Sequence, residues 1–172
     1  MEPEVILVDT DDRETGRAGK LAAHRAGLLH RAFSVFLVHG GRMLIQRRAA
    51  GKYHSAGLWA NACCSHPRPG EGVEEAALQR LRQELGIRVP AVEELFTFVY
   101  RCPFDNGLTE YELDHVLLAD WDGPVTPDPE EVGEVAWVSF ADLKAALLRR
   151  PEEFAVWFLT AAPEVLRRVE GG

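Results

Sequence analysis

Two short segments carry pairs of ligand-type side chains at the spacing that an extended strand places on one face. Cys64 and His66 are two residues apart, just before a break rich in Pro and Gly, and Glu110 and Glu112 repeat this spacing far downstream. Residues i and i+2 of a strand point to the same side. If the two segments meet in the fold, a thiol, an imidazole and two carboxylates converge on one pocket. That set suits a metal site, acid–base chemistry, or both.

The composition indicates a single globular domain. The chain has 172 residues, of which 47% are hydrophobic, and no apolar run is long enough to span a membrane. We expect one domain over 1–172, in which 1–30 is an N-terminal segment that contributes ligands and 31–162 is the core. The net charge of −8 argues against nucleic-acid binding. Three cysteines and an N-terminus without a signal-peptide pattern favour a reducing, cytoplasmic location.

The apolar pattern predicts a β-rich half, a helix, a second β-rich half and C-terminal helices. Strands are predicted over 5–8, 30–38, 42–46, 95–101, 109–119 and 134–138. The clearest helix is predicted over 74–85, because apolar residues recur at i+3 and i+4 and Gly86 follows as a cap. Further helices are predicted over 139–148 and from Pro151 onward, and 19–27 is read as either a short helix or an ordered loop. This order favours an α/β fold with a mixed sheet sandwiched between helices.

Three histidines and two glutamates form a candidate set of nitrogen and oxygen ligands. They are His24, His30, His66, Glu110 and Glu112. Alone, each histidine is often a core or surface residue, and paired carboxylates are as often a solvated face. Together they suit a divalent ion such as Mn²⁺, Zn²⁺ or Mg²⁺, which would relieve the repulsion between the carboxylates. The other histidines, His39, His54 and His115, sit beside turns or at bulky strand positions and are left out.

Basic residues cluster locally in this acidic chain. The cluster comprises Arg47, Arg48, Lys52, Arg80 and Arg82. Guanidinium groups bind phosphate oxygens in a bidentate manner and an ammonium adds a point charge, so the cluster indicates an anionic substrate; the alternative is an ordinary basic surface. The aromatic residues Trp59, Tyr100 and Trp157 are more often core residues, and alternatively they face a cationic intermediate.

The helix predicted over 74–85 resembles a degenerate Nudix box. In the parent pattern an Arg-Glu pair and a Glu-Glu pair precede a Gly. Here Gln79-Arg80 and Gln83-Glu84 stand at those pairs, and Ser65 stands at a Gly position of the pattern. Most acids of the Nudix hydrolase network are therefore missing. This weakens a hydrolase interpretation, keeps the scaffold, and turns part of the helix from metal binding toward diphosphate binding through Arg80.

Nearly the whole chain resembles the type 1 isopentenyl-diphosphate isomerases. The segments that carry the resemblance are Lys20 to His24, His30 to Ser34, Gln46 to Ala49, Gly57 to Asn61, Cys63 to Pro67, the degenerate helix, Glu110 to Glu112, and Trp157. Several separated motifs in one order make the resemblance specific. It implies a Nudix-like fold and, within isoprenoid biosynthesis, the interconversion of isopentenyl and dimethylallyl diphosphate through a carbocation.

The resemblance also implies roles for individual residues. It places His24, His30, His66, Glu110 and Glu112 around one Mn²⁺ or Zn²⁺. It places Glu84, with the backbone near Cys64, at a Mg²⁺ that bridges the diphosphate. Cys64 and Glu112 are then the opposed proton-transfer groups, assisted by Tyr100 and by Trp157 as a cation-facing ring. Lys20, Arg48, Lys52 and Arg80 contact the diphosphate. The expected partner is this small molecule, with no nucleic acid or membrane, and the expected state is a monomer or weak dimer.

Two alternatives remain open from the sequence. The first is a Nudix hydrolase that cleaves nucleoside or other diphosphates, against which the missing acids argue. The second is a non-catalytic metal- or ligand-binding domain that has kept the scaffold. Such a domain would bind metal without turnover and would tolerate any substitution of Cys64.

Overall fold

The structure is a computed structural model that describes residues 2–52 and 55–171. Within these ranges, nine strands form one sheet and four α-helices cover it. The strands are β1 (Glu4–Val8), β2 (Glu14–Gly19), β3 (His30–His39), β4 (Arg42–Arg48), β5 (Trp59–Ala60), β6 (Cys63–Ser65), β7 (Glu93–Pro103), β8 (Thr109–Asp120) and β9 (Val132–Ser139). The helices are α1 (Lys20–Ala26), α2 (Val73–Leu85), α3 (Phe140–Arg149) and α4 (Val156–Gly171). None of the helices in the described ranges has the length and apolar character needed to cross a membrane.

Strand β3 organises the sheet because it pairs along both edges. One edge runs parallel to β8, from His30 opposite Glu112 to Val38 opposite Asp120. The other edge pairs antiparallel with β1, β6 and β4 in succession. The two segments that carry the paired ligand side chains therefore flank the same strand, and they do meet in the fold.

The two faces of the sheet pack against different helices because the side chains of β3 alternate between them. Phe33 and Val35 pack with Leu81 of α2 in one buried cluster, whereas Phe36 packs with Phe158 of α4 in another. Each buried side chain of this size contributes about 1.5–3 kcal/mol. The predicted mixed sheet between helices is confirmed.

Local signals set several element ends where the sequence predicts them. Gly86 ends α2 in the left-handed conformation (φ 64°) and its N–H donates to the Arg82 carbonyl. The Ser139 hydroxyl caps α3 by accepting from the Asp142 N–H. The segment 19–27, left open between loop and helix, contains α1. The helix expected from Pro151 begins later, at Val156. Residues Pro151–Glu153 form only a 3₁₀ turn. The Ala155 N–H that follows donates to the Trp59 carbonyl rather than to a helical partner.

Asp12, in the turn between β1 and β2, adds side-chain contacts to the pairing of β1 with β3. One Asp12 carboxylate oxygen accepts from Arg31 Nε at 2.8 Å and the other lies 2.9 Å from His115 Nε2. The His115 Nδ1 in turn contacts Glu94 on β7. Asp12 has a positive φ of 63°, a conformation that Asp and Asn tolerate better than other L-residues. Asp12 therefore adds to the contacts that hold the segment leading into α1.

We expect Asp12→Ala to lower the free energy of unfolding by about 1–2 kcal/mol, because it removes charge-assisted bonds in a partly exposed site and strains a left-handed position. Thermal denaturation checks the value, and amide hydrogen exchange should quicken in β1 and β2 first. Asp12→Asn is the matched control, since it keeps the backbone preference and loses only the charge. An Ala variant with wild-type stability and exchange would show that the hairpin is held by other contacts.

Candidate active site and metal centre

A cavity opens where β3, β6 and β8 meet α1, α2 and α4. Its empty volume is about 510 Å³, including the part open to solvent. Every residue to which the resemblance assigns a role lines this cavity except His24, His30 and Glu84, whereas the candidates Arg47, Trp59 and Arg82 do not line it. Glu84 lines an adjoining pocket that also contains Cys64 and Trp157.

Four of the five predicted metal ligands form one compact cluster. One ligand atom from each of His24, His30, His66 and Glu112 lies within 4.8 Å of all the others. The ring centroid of His30 lies 5.1 Å from that of His24 and 4.9 Å from that of His66. His24 lies on α1, His30 is the first residue of β3, His66 directly follows β6, and Glu112 lies on β8. The set of nitrogen and oxygen donors fits a divalent transition-metal ion.

The hydrogen bonds of His30 support this fit. Its Nδ1 lies 2.8 Å from the Leu28 carbonyl, and because a carbonyl only accepts, Nδ1 carries a hydrogen. The Nε2 of the neutral ring is then a lone pair, 3.2 Å from a Glu112 oxygen. A lone pair that faces a carboxylate needs a positive charge between them, either a proton or a metal ion.

The pKa values of both His24 and Glu112 are lowered in the cluster. Burial, followed by the charges of His66 and His30, lowers the pKa of His24 to about 3, so at neutral pH this ring is uncharged and can act as a ligand. Burial opposes ionisation of Glu112, but His66 and His30 hold its pKa well below the ordinary value. At neutral pH the cluster therefore places the uncharged His24 ring beside an ionised Glu112 carboxylate.

Glu110 lies next to this cluster but outside the group of four. The Tyr100 hydroxyl lies 2.8 Å from a Glu110 oxygen and 2.8 Å from a Glu112 oxygen, because β7 places Tyr100 directly opposite Glu112. Tyr100 has one hydroxyl hydrogen, so it can donate to only one of these carboxyl groups at a time. Metal ligation by Glu110 stays a prediction.

The thiol of Cys64 forms a separate wall of the cavity. Strand β6 places Cys64 opposite Ser34 of β3, and the thiol sulfur lies 3.5 Å from the Ser34 hydroxyl oxygen. Burial, followed by the nearby Asp114 carboxyl, raises the pKa of Cys64 to about 12. The thiol is therefore protonated at neutral pH. Trp157 of α4 is buried in the same apolar cluster against which Cys64 packs.

The basic residues and Glu84 form a network of ion pairs. Arg80 pairs with Glu84 one helical turn away on α2 and approaches Glu131 at 3.4 Å. Lys52 contacts the same Glu131 oxygen at 2.5 Å. Lys20 lines the same cavity as Lys52 and Arg80, and burial, followed by the charge of Lys52, lowers the pKa of Lys20. A polyanion would relieve this crowding of cations.

Sequence reasoning missed four buried or half-buried residues of the site. They are Ser34, Asn61, Asp114 and Glu131. One signal was readable, because Asp114 continues the alternation of Glu110 and Glu112 along β8 and so faces the same side. The contacts of the others depend on which strands become neighbours. Among the histidines set aside, His39 pairs with exposed Asp120, His115 belongs to the Asp12 contact, and His54 lies outside the described residues.

Comparison with known proteins shows the family to which this chain belongs. The NUDIX domain matches residues 28–158. An isopentenyl-diphosphate Delta-isomerase 2 from Aromatoleum aromaticum is 46% identical over 167 residues, covering 96% of this chain and 88% of the relative. An isopentenyl-diphosphate Delta-isomerase from Photobacterium profundum is 47% identical over 175 residues, covering 98% and 95%. This chain belongs to the isopentenyl-diphosphate Delta-isomerase family. The family relationship spans both the N-terminal ligand segment and the core.

Solved structures confirm the fold of this isomerase-family chain. A crystal structure from Deinococcus radiodurans superposes with a TM-score of 0.76 at 21% identity, covering 96% of this chain and 98% of that one. The NUDIX domain of Shewanella oneidensis NrtR, complexed with ADP ribose, gives 0.61 at 19% identity, covering 82% and 87%. At such identities the likeness establishes the Nudix fold alone.

Proposed function

We propose that this chain interconverts isopentenyl diphosphate and dimethylallyl diphosphate, and that Cys64 and Glu112 transfer the protons. The observation that carries the proposal is that a protonated thiol and an ionised carboxylate line one cavity from separate strands, β6 and β8. The naming of relatives at 46–47% identity as isopentenyl-diphosphate Delta-isomerases supports it. The roles of the individual residues are part of the proposal.

The reaction needs one group that gives a proton and one that takes a proton. A proton adds to the terminal alkene carbon, whose π electrons form the new C–H bond and leave a tertiary carbocation. Loss of a proton from the carbon on the diphosphate side returns an electron pair as the new double bond. Atoms and charge of the substrate balance, and the two protein groups end with exchanged protonation states. Each group must come within about 3 Å of its carbon.

The site is suited to a positively charged intermediate. The Arg48 guanidinium carbon lies 5.2 Å from the centroid of the Trp157 ring, so a face of this indole already accommodates a cation. Such an interaction contributes about 0.5–2 kcal/mol, at most little more than one power of ten in rate. Negative charge close to the intermediate must therefore contribute more than the ring.

The fit of the donor sets determines where metal ions would bind. His24, His30, His66 and Glu112, with Glu110 beside them, would hold one Mn²⁺ or Zn²⁺, and Glu84 would contribute to a Mg²⁺ at the diphosphate. When bound, these ions would supply positive charge that orients Glu112 and neutralises the phosphates. Tyr100 would help to orient Glu112 when its hydroxyl donates to that carboxylate. We also propose that residues 1–30 act as the ligand-contributing segment of a cytoplasmic monomer or weak dimer.

The basic residues should anchor the diphosphate, whose binding positions the alkene. We expect Lys52→Ala to raise KM for isopentenyl diphosphate by about tenfold, the value of one charged contact of about 1.4 kcal/mol, with a smaller change in kcat. Steady-state kinetics and competition by inorganic pyrophosphate measure it. The control is Lys144→Ala, because Lys144 pairs with Glu170 on the surface. An unchanged KM in Lys52→Ala would place the diphosphate elsewhere.

Proton NMR in D₂O tests the function directly. The metal-reconstituted protein is incubated with isopentenyl diphosphate, and we expect dimethylallyl diphosphate with deuterium incorporated. Release of phosphate or a monophosphate without alkene migration would instead support a Nudix hydrolase. Bound metal with an unchanged substrate would support a binding domain without catalysis.

A further inference from the structure

The Asn61 side chain joins the thiol wall of the cavity to the indole. Asn61 is fully buried in the connection between β5 and β6. Its Nδ2 lies 3.0 Å from the Val35 carbonyl and 2.9 Å from the Cys63 carbonyl. Its Oδ1 lies 3.0 Å from Trp157 Nε1 and 3.4 Å from Cys64 Sγ. One amide thus contacts two backbone strands and two side chains of the proposed site.

These partners determine which way the amide points. Its nitrogen has two hydrogens, and the two backbone carbonyls accept both. The Trp157 indole nitrogen only donates, so it requires the Asn61 oxygen. A reversed amide would set oxygen against two carbonyls and nitrogen against a donor. Although Nδ2 lies 3.2 Å from Cys64 Sγ, its hydrogens are already engaged, and the oxygen is the atom available to the thiol.

The surroundings of the thiol therefore accept its hydrogen on two sides. The second lone pair of Asn61 Oδ1 can accept from the Cys64 S–H. On the other side, the Ser34 hydroxyl donates its single hydrogen to an Asp114 oxygen at 2.7 Å, so it presents lone pairs to the sulfur. The S–H of Cys64 consequently has defined directions rather than free rotation.

We propose that Asn61 is a positioning residue for proton transfer, whose side-chain oxygen holds the Cys64 thiol and the Trp157 indole in a fixed mutual arrangement. The proposal rests on the proposed isomerase function and adds a residue to it. The proton donor must reach one carbon of the substrate, and the ring that faces the resulting cation must lie next to the neighbouring carbon of the same short chain. A displacement of about 1 Å in such an arrangement costs on the order of 100-fold in rate.

Kinetics of Asn61→Ala provide the first test. We expect kcat to fall about 100-fold while KM for isopentenyl diphosphate stays near the wild-type value, because the hydrogen bonds of Asn61 run to the thiol, the indole and the backbone. Circular dichroism melting establishes that the variant is folded. Asn106→Ala is the matched control, since it removes an amide from the exposed β7–β8 turn. A folded Asn61→Ala with wild-type kcat would overturn the proposal.

A double-mutant cycle separates positioning from simple bracing of the backbone. Trp157→Phe keeps an aromatic ring and every backbone bond of Asn61, and removes the indole N–H from its oxygen together with the pyrrole part of the ring. We expect Asn61→Ala to cost less in kcat in this background than in the wild type. Additive losses in kcat would show that Asn61 only supports the backbone and does not position the thiol and the indole together. If Asn61→Ala does not fold, a wild-type kcat in Trp157→Phe would exclude the indole bond, and the indole N–H measurement described next tests the link independently of kcat.

An activity-independent measurement distinguishes failure of this proposal from failure of the function. The Trp157 indole N–H signal in ¹⁵N-labelled protein is identified by its loss in Trp157→Phe. We expect this signal to exchange slowly with D₂O and to move in Cys64→Ala, because both groups share the Asn61 oxygen. A fast-exchanging signal that does not move would overturn the link even in an active enzyme. An inactive wild-type protein with a slow, coupled signal would overturn the function instead.

Discussion

Cys64→Ala is expected to lower kcat for isopentenyl diphosphate by at least about 10³-fold, within the range that a single acid–base group contributes to catalysis. The thiol is protonated at neutral pH and lines the cavity, so its removal takes away the proton on that wall. The fold should persist, since the backbone of β6 stays paired with Ser34 of β3. The D₂O NMR assay measures turnover, and circular dichroism measures folding.

The other two cysteines supply matched controls for this prediction. Cys102 is half-buried on β7, outside the residues that line the cavity among those described, and Cys102→Ala should retain wild-type turnover. Cys63 is fully buried in the cluster beneath α2, so Cys63→Ala should cost roughly 1 kcal/mol of stability through lost packing and little activity. A Cys64→Ala enzyme within tenfold of wild type would remove the thiol from the mechanism.

Local patterns predicted the long elements of the fold because each of them carries its own signal. Helix α2 has periodic apolar residues and a glycine after its last turn, and the pair β3 and β4 is separated by a turn of two glycines. Strands β5 and β6 span two and three residues, too few for any periodicity. Strand β2 (Glu14–Gly19) is mostly exposed and has Gly at two positions, so its sequence predicts a loop rather than a strand. Its pairing with β1 comes from the hairpin geometry.

The site was predictable where spacing alone carried the chemistry. The i, i+2 spacing of Cys64 with His66, and of Glu110 with Glu112, placed ligand atoms on common strand faces without knowledge of the fold. The resemblance added a role for Tyr100 and assigned basic residues, most of which already clustered in the sequence, to the diphosphate. The contacts of Asn61 and Glu131 could not be read, because they depend on long-range neighbours: the α4 indole in one case and two cations from different elements in the other.

Glu112→Gln cannot by itself show what the metal cluster does, since Glu112 is both a cluster member and a proposed proton-transfer group. His24 resolves this ambiguity. It lies on α1 within 4.8 Å of the other cluster atoms, yet it is not among the residues that line the cavity in the described ranges. A loss of turnover in His24→Ala would therefore report on the bound ion rather than on substrate contact.

We expect His24→Ala to lose the ion from the cluster and to lower kcat by about 10²-fold or more, since outer contacts of a metal site alone are worth about 10–100-fold. Metal content by elemental analysis and kcat are measured together. Wild-type protein saturated with Zn²⁺ or Mn²⁺ at 100–1,000 times Kd should gain about 2.7–4.1 kcal/mol in the free energy of unfolding, and His24→Ala should gain much less. His39→Ala is the control, because His39 is an exposed partner of Asp120. Full turnover in metal-free His24→Ala would contradict the role of the cluster, because Glu112 would then need no ion to take part in proton transfer.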